Sequence, residues 1–283
     1  MSIHPPADGP TTRVTDAVVR GPSVTSKVFA ILGAFVPGEA RLNLTQISRR
    51  TGIPIATAHR LASELVRCGG LEREHGGTYR VGVRLWEIGS LAPVRGGLRE
   101  LALPFMEDLY EATHANVQLA ALDGFDALFL EKISGRDSVQ ILTRVGGRLP
   151  LHATGVGKVL LAHAPSDVIE AVIARGLEPL TPRTIVDPDE MRACLEEIRR
   201  SGFAWTRDEM TVGAVSVGAP VFGPDTVVVA AISIVVDSRV GDIGRLAPPV
   251  RTAARGLSRQ VMDRWDRIVP TAADLEGPAL GGL

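Results

Sequence analysis

Aromatic residues make up only 4% of this 283-residue chain, and it has just two cysteines. The cores must therefore rest on Leu, Val, Ile and Ala. Cys68 and Cys194 lie far apart, so they supply neither a metal-ligand spacing nor a disulfide framework, and a reducing cytoplasm is expected. The six histidines (His4, His59, His75, His114, His152, His163) show no metal spacing either, and no cofactor motif is present. The longest apolar run, residues 227–236, is broken by Ser233. It is too short to cross a bilayer and reads as a buried strand, so no membrane partner is expected. The first residues lack the charged-then-apolar pattern of a signal peptide.

A net charge of −1 hides a strong asymmetry. Residues 20–84 carry ten Arg/Lys against four acids, a surplus of +6, while the remainder carries −7. A basic module joined to an acidic one fits nucleic-acid binding by the first part alone. Within the basic part, residues 44–82 read as a short helix, a tight turn at Gly52, a longer helix to about Arg67, and a hairpin around Gly76-Gly77. This is the pattern of a winged helix-turn-helix. Thr45 is the expected N-cap of its first helix, and Ile47 its apolar anchor. Pro54 falls where the first turn of a helix tolerates it.

The rest divides as follows. Residues 1–22, rich in Pro, Gly, Thr and Asp, are expected to form a disordered arm, 23–84 a DNA-binding domain, and 85–114 a helical linker. Residues 115–268 form a second domain, and 269–283 a flexible tail. A first helix is expected over residues 25–35, capped by Thr25 or Ser26. Beyond residue 115 strands are expected over 117–122, 127–133, 139–143, 203–206, 214–222 and 227–236. Helices are expected over 154–163, 166–174, 188–201 and 239–267, with Pro248-Pro249 as a break or a new start. Strands and helices mix without strict alternation, which predicts an α+β fold.

In a helix-turn-helix the second helix enters the major groove by its N-terminal half. Thr57, His59 and Arg60 occupy that half. Arg60 is placed either to pair bidentately with guanine or to hold a phosphate. Ile55 and Ala56 either meet thymine methyls or pack on the neighbouring helix. Thr45, Arg49, Arg50, Arg73 and Arg80 are candidate DNA contacts, the four arginines as phosphate clamps; the alternative for those arginines is a solvated basic face.

The chain resembles the IclR-type transcriptional regulators. The likeness is carried by residues 45–80 with Arg84-Leu85, by the block from Arg148 to Lys158, and by residues 180–185, 196–204 and 213–221. These blocks run in the family's order over about 23–260. The resemblance implies a winged helix, a linker helix and a GAF-like effector-binding domain. It also implies a homodimer or tetramer on a palindromic double-stranded DNA operator. The family often has Lys-Ser where Ile55-Ala56 stand, so an operator sequence does not carry over.

A ligand site is expected at residues 153–158, where glycines open a helix and present backbone N–H groups to an anion. The alternative is close helix–sheet packing. The stretch is not a P-loop, since the first glycine and the Ser/Thr after Lys158 are missing. The resemblance adds Ile141, Leu149, Ala214, Ser216 and Ser233 to Gly155 and Val156 as effector-binding positions. It further implies that a small-oxoacid sensor of the family has Asp at Thr206 and Ser at Val235. Both are changed here, so a larger carboxylate with an apolar or aromatic body is expected.

No catalytic constellation emerges. His152 beside the glycine loop reads as a structural histidine, Asp208-Glu209 as an acidic pair flanking a turn, and both cysteines as packing residues. Nothing resembles a nucleophile elbow. The expectation is a non-enzymatic, effector-controlled DNA-binding regulator, more a repressor than an activator. The alternatives are an enzyme acting on a small acid and a ligand-independent DNA-binding protein.

Overall fold

The computed structural model describes residues 22–36, 39–90, 97–135, 139 and 143–265. Contacts divide the chain into two compact units, residues 1–92 and 93–283. The expected helical linker is thereby divided: α4 (Val83–Ser90) belongs to the first unit and α5 (Leu98–Thr113) to the second.

The first unit begins with α1 (Val24–Gly33), capped by Ser23, two or three residues before the expected Thr25 or Ser26. Strand β1 (Leu42–Asn43) was not anticipated; it pairs with β3 (Thr78–Val81), which also pairs with β2 (Leu71–Arg73). Helix α2 (Leu44–Thr51) is capped by Asn43, not by Thr45. The Asn43 side chain accepts from the Gln46 amide at 2.9 Å, and Gln46 accepts in return from the Asn43 amide at 2.8 Å. This reciprocal capping box satisfies two orphan donors, which a lone Thr45 cap would not do. Gly52, at φ 68°, closes α2 in a left-handed conformation that suits glycine. Helix α3 (Ile55–Arg67) then turns Ala58, Leu61 and Ala62 inward against Ile31, Ile47, Leu71 and Tyr79.

The second unit is a six-stranded antiparallel sheet in the order β6-β5-β4-β9-β8-β7. Its strands are β4 (Asn116–Asp123), β5 (Asp126–Ile133), β6 (Arg148–Pro150), β7 (Ala204–Arg207), β8 (Ala214–Phe222) and β9 (Val228–Asp237). One face packs on α5 and α9 (Ile243–Asp263), through residues such as Met106, Leu119, Val217, Ile232 and Leu257. The other face packs on α6 (Gly155–Ala162), α7 (Ser166–Ala174) and α8 (Pro188–Ser201), through Ala120, Phe129, Val159, Met191 and Leu195. Because both faces are covered, β9 is a nearly continuous apolar run. The α+β expectation with a winged helix and a separate effector-type domain describes this fold.

Two readings change. Helix α9 runs through Pro248-Pro249 without a break. Strand β6 and the 3-10 turn Leu151–Ala153 precede α6, where the sequence marked no element. The expected strand over 139–143 lies largely outside the described residues, as do the arm and the tail.

Candidate nucleic-acid interface and ligand pocket

In the first unit, burial sorts α3 into two faces. Ala58, Leu61 and Ala62 are core; Ile55, Ala56, His59 and Arg60 are exposed, and Thr57 is half-buried. Ile55 is half exposed, so packing on a neighbouring helix does not account for it. Thr45, Arg49, Arg50, Arg73 and Arg80 are also at the surface, but their side chains differ in what they touch. Arg50 donates to the Ala34 carbonyl at 2.9 Å and pairs with Glu39. Arg80 donates to Glu72 at 2.6 and 2.8 Å and reaches Glu74 at 3.5 Å. Arg73 lies over the Tyr79 ring at 5.9 Å. Among the described residues Arg49 and Arg60 have no acidic partner, so their guanidiniums are unengaged.

In the second unit, a cavity opens between the start of α6, the sheet and the β7–β8 loop. It measures about 40 Å³, or about 410 Å³ of unfilled space once the open mouth is counted. Sheet register explains its floor. Thr206, Ser216 and Val235 are neighbours across β7, β8 and β9, and Gln118 and Ser233 are neighbours across β4 and β9. All lie on the α6 face, alternating with residues turned to α5 and α9.

Helix α6 meets this floor through two glycines. A Cβ on Gly155 would fall 2.5 Å from Ser216 Oγ, and one on Gly218 would fall 2.9 Å from the carbonyl of Gly155. Both glycines therefore serve close helix–sheet approach, one of the two readings the sequence left open. The other reading remains available. Thr154 caps the helix by accepting from the Gly157 amide at 3.0 Å, while helix geometry leaves the amides of Gly155 and Val156 without partners inside α6. We expect Gly218→Ala to cost about 1–3 kcal/mol, since its clash is with backbone and cannot relax by side-chain rotation. Urea unfolding of wild type and variant measures this; an unchanged midpoint would contradict the contact.

A buried ion pair stands at the cavity wall. Lys158, 1% exposed, donates from Nζ to both carboxylate oxygens of Glu209 at 2.7 Å. Burial pushes the Glu209 carboxyl up, and the Lys158 charge and hydrogen bonds pull it back in part. The loop bearing Glu209 is tied down on its other side. Thr184 donates to the Glu209 carbonyl at 2.7 Å, Thr181 donates to the Asp208 carbonyl at 2.6 Å, and Asp208 accepts from the Gly213 amide at 2.6 Å. Asp208-Glu209 thus flanks the β7–β8 turn as the sequence suggested, with the Asp208 carboxylate bonded to the loop's Gly213 amide and the Glu209 carboxylate buried. His152 is buried and bonded to the Glu178 carbonyl at 3.0 Å. Cys194 is half-buried with its thiol pushed up by burial, whereas Cys68 is exposed at the end of α3 and is not a packing residue.

Of the positions expected at the effector site, Leu149, Gly155, Ala214 and Ser216 line the cavity, together with Thr206 and Val235. Val156 is buried in α6 behind it, Ser233 is buried beneath Gln118, and Ile141 lies outside the described residues. Gln118, Thr143, Glu209, Met210 and Thr211 also line it, and sequence reading did not mark them as a site. Gln118 had a signal: a long polar residue at the same strand parity as Asn116 in the otherwise apolar β4. The Met210-Thr211 pair had none, because a loop's approach to a distant cavity leaves no periodic trace.

Comparison with known proteins adds relatives over nearly the whole chain. The IclR helix-turn-helix domain matches residues 24–75, and the bacterial transcriptional regulator IclR C-terminal domain matches residues 93–259. The HTH-type transcriptional regulator KipR of Bacillus subtilis is 31% identical over 83% of this chain and 95% of its own. The transcriptional repressor IclR of Escherichia coli is 26% identical, over 85% and 89% respectively. Among solved structures, an IclR homolog from Microbacterium hydrocarbonoxydans, complexed with 4-hydroxybenzoate, superposes with a TM-score of 0.79. It is 34% identical, over 84% of this chain and 99% of that one.

Proposed function

Since this chain belongs to the IclR family of DNA-binding transcriptional regulators with a ligand-binding domain, we propose that it is a repressor released from its operator by a monocarboxylic acid with an apolar or aromatic body. The observation that carries the effector half is the cavity at the start of α6. Its described lining holds one ionisable side chain, Glu209, already neutralised by Lys158. The amides of Gly155 and Val156, without partners among the described residues, would then hold a single carboxylate. Thr206 and Val235 in the lining leave no acid to hold a small polar oxoacid, and Leu149, Ala214 and Met210 offer apolar contact to a larger body. The relative bound to 4-hydroxybenzoate and the relative named a repressor favour the same reading.

The DNA half rests on α3. We place Thr57, His59 and Arg60 in the major groove and Arg49 on a phosphate, with Thr45, Arg50, Arg73 and Arg80 at the flanking backbone. A dimer or tetramer would set two such helices on a palindromic operator, with half-sites spaced by about one helical turn or more. Ligand and operator are coupled only if the acid binds one arrangement of the protein better than the other.

The test is fluorescence anisotropy of the full chain on labelled DNA from upstream of its own gene, titrated with 4-hydroxybenzoate, benzoate, pyruvate and glyoxylate. Release by ring acids at lower concentration than by oxoacids is expected. A response confined to two- and three-carbon oxoacids would overturn the effector assignment. Tighter DNA binding with the ring acids would overturn release.

A further inference from the structure

Gln118 is an unusual residue to find in the middle of a covered sheet. It is buried, stands on β4 at the cavity floor, and is flanked in register by Lys132 on β5 and Ser233 on β9. Its amide is partly used. Nε2 donates to Thr143 Oγ1 at 2.6 Å, and Oε1 accepts from Ser233 Oγ at 3.4 Å. A primary amide has two N–H donors and two acceptor lone pairs. Among the described residues the second N–H has no protein partner, so it is open to a group held in the cavity that Gln118 lines. The neighbouring Lys132 donates from Nζ to the Thr143 carbonyl at 3.1 Å and is not among the residues that line the cavity.

We infer that Gln118 is a ligand-reading residue, whose amide recognises a hydroxyl group at the end of the effector remote from its carboxylate. The effectors are then hydroxylated monocarboxylic acids. This rests on the carboxylate reading of the α6 end and deepens it. The chemistry of the wall selects the group. A hydroxyl donates and accepts, so it matches an amide with both functions open, and Thr143 Oγ1 stands beside it. A second carboxylate finds no unpaired cation in the described cavity lining: Glu209 holds Lys158 at 2.7 Å, and Lys132 is not among the lining residues. An unsubstituted ring leaves the Gln118 N–H unsatisfied, and a site built to bond a hydroxyl rejects the analogue lacking it.

The experiment measures binding of 4-hydroxybenzoate, benzoate and terephthalate to the full-length chain by calorimetry, for wild type and for Gln118→Met. In wild type, 4-hydroxybenzoate is expected to bind at least about tenfold tighter than benzoate, with terephthalate weakest. In the variant the ratio should fall to about one, chiefly through weaker 4-hydroxybenzoate. A residue that merely ties Thr143 to the sheet would weaken both ligands alike and keep their ratio, which overturns the inference. Equal affinity of wild type for benzoate and 4-hydroxybenzoate also overturns it, while leaving the carboxylate reading intact. Binding of none of the three acids sinks both. Should Gln118→Met not fold, the side-chain amide resonances of wild-type Gln118 decide. They should move on adding 4-hydroxybenzoate and stay in place with benzoate, and equal movement with both refutes the role.

Discussion

Replacing Lys158 by Met is expected to destabilise the second unit by about 3–5 kcal/mol, the largest stability loss that a single side chain here should produce. The cost is not the attraction lost between two charges. Both partners are buried, and removing Lys158 leaves the Glu209 carboxylate with neither counter-charge nor Nζ–H donors. Removing both charges should cost far less. The double variant Lys158→Met/Glu209→Leu is expected to recover most of the loss, since apolar pairs of similar volume replace buried ion pairs at little net cost. Recovery of less than half would mean that the pair mainly holds the β7–β8 loop in shape.

The pH dependence of this deficit has a definite sign. Burial already raises the folded Glu209 carboxyl above its unfolded value, and Lys158 opposes the rise. Without Lys158 it must rise further. A carboxyl raised on folding contributes stability that is present below its unfolded value, about 4.3, and lost as pH climbs through its folded value. The single variant should therefore be close to the double variant near pH 4 and fall progressively below it toward neutrality. Urea unfolding of both variants from pH 4 to 8 measures this, and a constant gap would show that Glu209 is not the cause.

That ion pair also marks where sequence reading stops. Lys158 and Glu209 are 51 residues apart, and no periodicity links a helix to a loop across that distance. Elements with their own local pattern were legible. The two faces of α3, the β4–β5 hairpin and α8 follow from apolar spacing and from glycine at turns. Caps were less so, because Asn43 and Thr45 both precede an apolar-periodic stretch, and only the reciprocal bond with Gln46 decides between them. Pro248-Pro249 misled for a physical reason. Proline lacks an N–H and disfavours the helix interior, but α9 is held by Val250, Ala254, Leu257 and Val261 in the core, and packing outweighs the local penalty. For the cavity, the glycine-led helix was visible as a motif. Its floor required sheet register, which brings Gln118 and Ser233 together from 115 residues apart.

Arg60→Ala is expected to weaken operator binding by about 1–3 kcal/mol for each copy engaged, roughly five- to 150-fold per half-site, with ligand affinity unchanged. The reason lies in what its neighbours do. Arg50 and Arg80 already have carboxylate partners, so in the proposed interface DNA would have to compete with Glu39, Glu72 and Glu74 for them. Arg60 has no such competitor among the described residues and stands on the exposed face of α3, beside His59 and behind the apolar Ile55 and Ala56. In the proposed interface those two positions cannot hydrogen-bond a base, so polar discrimination on this face would fall to Thr57, His59 and Arg60. Salt titration separates the two modes of contact. If Arg60 reads a base, Arg60→Ala lowers specific binding more than binding to random DNA and leaves the salt slope nearly as it was. If it holds a phosphate, both fall together and the slope drops by about one per contact. Arg49→Ala provides the reference for the phosphate behaviour. Loss of operator binding and of 4-hydroxybenzoate binding together would instead indicate unfolding, and unchanged operator affinity would remove Arg60 from the interface.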